Sequence, residues 1–122
     1  MTSIPEPFIQ ALRLKTSLGI EIAARSPERL AGITILPQRS PLDQQAQVEG
    51  WKPSVDDRKI VVFWREYSRQ HIENGWEIEP GYGLWELKRA EIVGAQALED
   101  LLQEWGISLA SLTYLWKTAI PE

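Results

Sequence analysis

Three glutamates and one lysine lie close together in the sequence, at Glu77, Glu79, Glu86 and Lys88. Carboxylates that meet in the fold can share a divalent cation, or one can hold a proton while another stays ionised. A lysine beside them can steady a phosphate or an attacking water. These four side chains therefore define one chemistry that the chain could carry, provided that neighbouring strands bring them together.

A β-hairpin over about 76–90 is the predicted element that would position these side chains. Trp76–Glu79 and Leu84–Ala90 both alternate apolar and polar residues, as half-buried strands do. Pro80–Gly83 between them has the composition of a tight turn. Glu79 would then lie on the first strand, and Glu86 and Lys88 on the second.

The acid-x-Lys order of Glu86 and Lys88 resembles the half-site of the PD-(D/E)XK nucleases, over about residues 55–105. The resemblance implies a metal-dependent nuclease, in which Glu77 or Glu79 takes the place of an aspartate in the family's pattern. Solvated charges that face one another across a hairpin produce the same sequence pattern. We favour that second interpretation and predict no catalytic residue.

Aromatic residues flank the predicted hairpin at Trp76, Tyr82 and Trp85, and Arg89 follows them. Tryptophan, tyrosine and arginine are enriched at the centres of protein interfaces. We therefore predict that Trp76, Tyr82, Trp85 and Arg89 form a binding surface for another protein or for a second copy of the chain. This is the preferred function, that of a non-catalytic interaction or regulatory module.

Cofactor, metal and nucleophile chemistry have little support elsewhere in the sequence. The chain has no cysteine and a single histidine, His71, so thiolate catalysis and cysteine-ligated zinc are excluded. No serine lies in a Gly-x-Ser-x-Gly context. We predict no cofactor and no metal site, and interpret His71 as a partly buried structural residue.

Three helices are predicted, at about 55–73, 95–105 and 109–117. The first rests on an apolar spacing of three and four residues along Ile60–His71, with a candidate N-cap at Ser54 and a stop at Asn74-Gly75. A strand over Lys59–Trp64 followed by a shorter helix is the alternative. On these helices Trp64, Trp105 and Trp116 would fall on apolar stripes and pack in the core.

The last two predicted helices have the outline of a helix-turn-helix, which implies a second alternative function in nucleic-acid binding. The second helix would offer Ser111, Thr113 and only one cation, Lys117, to DNA. The formal net charge of the chain is −4. Because nucleic-acid affinity depends on neutralising phosphates, this function is disfavoured.

Length and composition predict one α+β domain over residues 1–122, with a small, mainly antiparallel sheet packed by two or three helices. The polar connection 37–53 could mark an internal boundary. Short strands are expected at Gly19–Ala24 and Ile33–Leu36, with a brief helix starting at Ser26 between them. The absence of cysteine and of any long apolar run predicts a soluble cytoplasmic protein without a membrane partner.

Overall fold

The computed structural model describes residues 4–121, and this part of the chain contains four helices and six strands. The helices are α1 (Glu6–Arg13), α2 (Pro41–Glu49), α3 (Arg69–Asn74) and α4 (Ala95–Glu104). The strands are β1 (Leu18–Ile22), β2 (Arg29–Pro37), β3 (Lys59–Ser68), β4 (Glu79–Pro80), β5 (Gly83–Val93) and β6 (Thr113–Tyr114). Short 3₁₀ turns lie at Val55–Asp57, Leu109–Ser111 and Leu115–Lys117.

All six strands belong to one sheet, in the order β4-β5-β3-β2-β1-β6. Every neighbouring pair is antiparallel except the two-residue β4, which lies parallel to the start of β5. The predicted α+β class with a mainly antiparallel sheet is therefore confirmed. The strand expected at Gly19–Ala24 corresponds to β1, and the short strand at Ile33–Leu36 extends into the longer β2. Ser26 begins a turn before β2, so the brief helix predicted there is wrong.

The centre of the sheet is β3, where the prediction of a helix over Val55–Glu73 is wrong. β3 pairs with β2 along one side and with β5 along the other. Its run of apolar residues from Ile60 to Trp64 suits such a strand, because side chains on both faces of a central strand are covered. The alternative, a strand followed by a shorter helix, is confirmed by β3 and α3.

The predicted hairpin at 76–90 is only half correct. Its second strand exists as β5, but β5 pairs with β3 instead of with the preceding segment. Trp76–Ile78 are not in a strand, and only Glu79 and Pro80 pair with the start of β5. The prediction of a hairpin overlooked that β3 could supply a much longer partner for β5.

The helix predicted at 95–105 is confirmed by α4, whereas the one predicted at 109–117 is wrong. That segment forms two 3₁₀ turns with β6 between them, and it then crosses the sheet. Ile120 packs so closely over Gly32 that a β-carbon at Gly32 would overlap its side chain. Tertiary packing of Leu115 and Ile120 onto the sheet therefore prevails over the helical spacing of the leucines.

Helices α1 and α4 and the 3₁₀ turn at Leu109–Ser111 cover the other face of the sheet. Leu12 of α1 and Leu98 of α4 are fully buried with Ile33 and Val62 from the central strands. The connection 37–53, expected to be structureless, contains α2. The single-domain assignment and the boundary in this connection stay predictions.

Candidate binding surface

Trp76 and Tyr82 lie on the segment that joins α3 to β5, and both are exposed. Their exposed fractions are 51% for Trp76 and 69% for Tyr82. The Trp76 ring meets His71 edge-on, with ring centroids 5.2 Å apart. The Trp76 backbone N–H also donates to the His71 carbonyl at 2.9 Å. The chain therefore holds the Trp76 ring in place and leaves half of it open to solvent.

His71 is positioned by the caps of α3 and by a glycine of β5. The Ser68 hydroxyl accepts the His71 backbone N–H at the start of the helix, and Gly75 ends it with a φ of +66°. Gly83 has a φ of +79°, and a β-carbon there would lie 2.8 Å from the His71 ring. Glycine is required at position 83 for both reasons. His71 is half-buried, but on the short α3 and not on the long helix that was predicted.

Two glutamates share this segment with the exposed rings. Glu79 and Tyr82 exchange backbone hydrogen bonds of 3.0 and 2.6 Å, which close a tight turn. A hydrogen bond between the carboxyl groups of Glu77 and Glu79 is the main cause that raises the pKa of Glu79. Repulsion between the two charges raises it further. We call Trp76, Glu77, Glu79 and Tyr82 the aromatic turn, a surface that combines exposed rings with crowded negative charge.

Trp85 lies apart from the aromatic turn, on the sheet face that carries α1 and α4. The Arg29 guanidinium covers its ring at 3.6 Å from the centroid, and the indole is half-buried. Arg29 in turn pairs with Glu66, which is only 1% exposed. The prediction that Trp85 is a binding residue stays untested, but stacking against Arg29 gives this ring a structural role.

Glu66 is the buried anion of this cluster. Burial alone would raise its pKa, but hydrogen bonds from the Arg25 backbone N–H and from the Arg29 and Arg25 side chains outweigh that effect and lower the pKa. The Arg25 N–H lies 2.9 Å from one carboxylate oxygen, and Arg29 lies 3.0 Å from the other. Glu66 is thus ionised. Its hydrogen bonds with Arg25 and Arg29 hold β3 to β2 and to the turn that precedes β2.

Arg89 lies on the opposite face of β5 from Trp85. The register of β3 against β5 shifts between Trp64 and Arg65, which leaves Leu87 without an opposite residue. This β-bulge reverses the alternation of side chains along β5. Arg89 consequently lies over the Phe63 ring and pairs with Glu91 at 3.0 Å. The four predicted binding residues therefore occupy three separate places, and only Trp76 and Tyr82 share one.

The same bulge separates the residues of the nuclease resemblance. Glu86 pairs with Arg65 on one face of the sheet, with 3.4 Å between nitrogen and oxygen. Lys88 lies on the other face, with its ammonium 5.5 Å from the Trp64 ring. One metal-bound water cannot contact both side chains. Within residues 4–121, no cluster of three histidines or acids has the geometry to hold a metal ion.

The C-terminal segment carries another exposed ring, Trp116, which the sequence predicts to lie in the core. Trp116 is 62% exposed and stacks flat on Tyr114, at 4.6 Å between centroids. Phe8 contacts the same Tyr114 edge-on. Periodicity could not predict this stack, because Trp116 lies in a 3₁₀ turn that follows β6 and belongs neither to a strand nor to an α-helix. Trp64 and Trp105 do pack against each other in the core, as predicted.

A polar cleft of about 430 Å³ opens beside the N-terminus of α2. Arg58 lies behind it, only 2% exposed, and pairs with Asp43 through contacts of 2.7 and 2.8 Å. The cleft is lined by Lys15, Arg39, Ser40, Asp43, Gln44 and Gln47. Because Asp43 is engaged by Arg58 and lies close to Lys15, the cleft offers no free carboxylate for acid–base chemistry.

These features define the chain as an α+β protein with a six-stranded sheet and one exposed aromatic and acidic turn. No protein-family model, curated protein or solved structure matches the chain. Within residues 4–121, no helix has the length and apolar character needed to cross a membrane.

Proposed function

We propose that the protein is a non-catalytic interaction module, and that it binds a basic segment of another protein through the aromatic turn. The observation that carries this proposal is the joint exposure of Trp76 and Tyr82 beside two glutamates that repel each other. The absence of cysteine supports a cytoplasmic setting for such a module.

A partner that covers the Trp76 ring would gain binding free energy from its burial. A half-exposed indole that is already held by His71 loses little conformational freedom on binding, so burying it yields favourable free energy at low entropic cost. Rings of this kind dominate the binding energy of many interfaces.

The charge of the turn selects the kind of partner. The hydrogen bond to Glu77 raises the pKa of Glu79 most, and repulsion between the two carboxyl groups raises it further, so a cation placed between them would relieve that repulsion. A lysine or arginine of the partner supplies that cation and can also stack on an exposed ring. We therefore expect binding that weakens as the salt concentration rises.

Affinity purification from native lysate with quantitative mass spectrometry tests the proposal. The double variant Trp76→Ala/Tyr82→Ala should lose partners that wild type recovers, and Glu77→Gln/Glu79→Gln should weaken the same set. Trp116→Ala is the matched control, because it removes another exposed tryptophan, at 62% against 51% for Trp76, from a different surface. Equal recovery by wild type and the aromatic double variant, with both folded, would refute the proposal. Loss only in Trp116→Ala would place the site at the C-terminal segment instead.

A further inference from the structure

The outer edge of β5 is open along most of its length. Within residues 4–121, the only strand that pairs along this edge is β4, and it reaches only Gly83 and Leu84. From Trp85 to Val93 the edge has no neighbouring strand in that part of the chain. An open edge presents unpaired backbone donors and acceptors, which can pair with a strand of another molecule.

The register with β3 shows which backbone groups of β5 face outward. The Gly94 N–H donates to the Arg58 carbonyl at 2.9 Å, immediately before β3 begins. Hydrogen bonding alternates along an antiparallel pair, so Ile92 and Ala90 also face β3. The N–H and C=O groups of Arg89, Glu91 and Val93 therefore point away from the sheet, towards a strand that would lie beside β5.

The side chains of this edge restrict which strand can pair with it. Charged residues on an edge discourage indiscriminate pairing, and β5 carries Glu86, Lys88, Arg89 and Glu91. Arg89 and Glu91 lie on the same face with Ala90 between them. This order of a cation, a small residue and an anion is complementary to itself when a second copy runs antiparallel.

We propose that two copies of the protein pair through β5 about a two-fold axis at Ala90. Arg89 then lies opposite the partner's Glu91, and Glu91 lies opposite the partner's Arg89. The outward backbone groups of these residues form the hydrogen-bonded pairs. Ala90 faces its own copy at a close, non-hydrogen-bonded position, where the Cα atoms of paired strands are about 4.5 Å apart.

The neighbouring two-fold registers of β5 pair like charges and are therefore less stable. An axis at Arg89 places two arginines opposite each other, and an axis at Glu91 does the same with two glutamates. Like charges directly opposite destabilise a strand pair, whereas opposite charges stabilise it. Arg89 and Glu91 are 49% and 44% exposed and already pair within one chain, so both can exchange partners without being buried. The proposal is independent of the aromatic turn, which shares no residue with the Ala90 contact.

Sedimentation velocity over a wide concentration range tests the dimer. Wild type should sediment with twice the monomer mass at high concentration. Arg89→Glu and Glu91→Arg should each raise the dissociation constant of the dimer about tenfold or more, because each variant creates two like-charge pairs. The exchanged variant Arg89→Glu/Glu91→Arg should restore dimerisation, since both cross-strand pairs reappear with reversed sign. Arg39→Glu is the matched control, with the same charge change away from the sheet.

Amide hydrogen exchange gives a second readout that does not depend on the variants. In wild type, the Arg89 and Glu91 amides should become more protected as the concentration rises, while the Thr113 amide on the opposite edge should not change. A protein that stays monomeric up to about 0.5 mM, where association would be weaker than about −4.5 kcal/mol, would overturn the proposal. So would a dimer that Arg89→Glu leaves intact, or one that the exchanged variant fails to restore although it is folded.

Discussion

The pair of Asp43 and Arg58 holds α2 against the sheet, and its removal gives the sharpest test of how the fold is stabilised. Arg58 stands one residue before β3 and is 2% exposed. Its two terminal nitrogens contact both oxygens of Asp43, at 2.7 and 2.8 Å. They also donate to the backbone carbonyls of Gln38 and Arg13, so one guanidinium joins α1, α2 and the start of β3.

Asp43→Asn should lower the free energy of unfolding by about 3 kcal/mol, because it leaves the Arg58 charge buried without its counter-ion. This is the lower end of the range for breaking a buried pair, since 15% of the Asp43 side chain reaches solvent. Asp43 also accepts the Ser40 backbone N–H at 2.8 Å, which an asparagine can still do. The expected loss therefore belongs to the ion pair and not to the helix cap.

Urea unfolding followed by circular dichroism measures this difference, with the exposed Asp57→Asn as the matched control. That control should change the unfolding free energy by less than about 0.5 kcal/mol. A double-mutant cycle of Asp43→Asn with Arg58→Met should give a coupling energy above about 1 kcal/mol between the two side chains. A loss below about 1 kcal/mol in Asp43→Asn, or a coupling within error of zero, would refute the reasoning.

The pH dependence of the same two proteins provides an independent check. The Arg58 hydrogen bonds outweigh the burial of Asp43 and hold its pKa well below its usual range. A lowered carboxyl pKa stabilises the fold above the ordinary value of 3.8, and this contribution is lost as the pH falls through the folded value. The difference in stability between wild type and Asp43→Asn should therefore be constant near neutral pH and shrink below pH 3.8. A difference that stays constant down to pH 2 would contradict this assignment.

Three further variants test the packing of the sheet. Gly32→Ala should cost about 1–3 kcal/mol by thermal unfolding, because the new methyl group overlaps Ile120, and the same change should cost much less in an Ile120→Ala background. Leu98→Ala should cost about 2.7–5 kcal/mol in urea unfolding, since the side chain is fully buried and leaves a cavity. Glu66→Gln should cost about 1.5–3 kcal/mol at pH 7, and less in acid, where Glu66 itself becomes protonated. A Glu66→Gln loss that grows in acid would contradict the lowered pKa.

The sequence predicts where helices and turns begin and end better than it predicts whether the chain between those points is helix or strand. Ser54 and Gly75 were both recognised, and they do cap a 3₁₀ turn and end α3. The error was to join them through one helix. An apolar run such as Ile60–Trp64 satisfies a helical and a strand period equally, and only its partners β2 and β5 decide between them.

The missed helix α2 had a signal that composition concealed. Ser40, Pro41 and Asp43 are an N-cap, a first helical residue and a reciprocal capping acid, and Gly50 ends the helix with a φ of +80°. The polar side chains of this stretch instead predict a loop. The buried partner Arg58 lies 15 residues further on, and local propensity gives no information about such a contact.

The separation of Trp85 from Arg89 follows from one β-bulge that the periodicity of the sequence could not reveal. A regular β5 would have placed Trp85, Leu87 and Arg89 on a single face, as the alternation of the sequence predicts. Leu87 has no opposite residue on β3, so Trp85 stacks with Arg29 on one face while Arg89 and Glu91 lie on the other. Bulges concentrate at sheet edges, where they limit pairing and redirect side chains. The bulge thus places Trp85 and Arg89 on opposite faces of the sheet, and it leaves the regular part of β5, beyond Leu87, as the edge that the proposed second copy would extend.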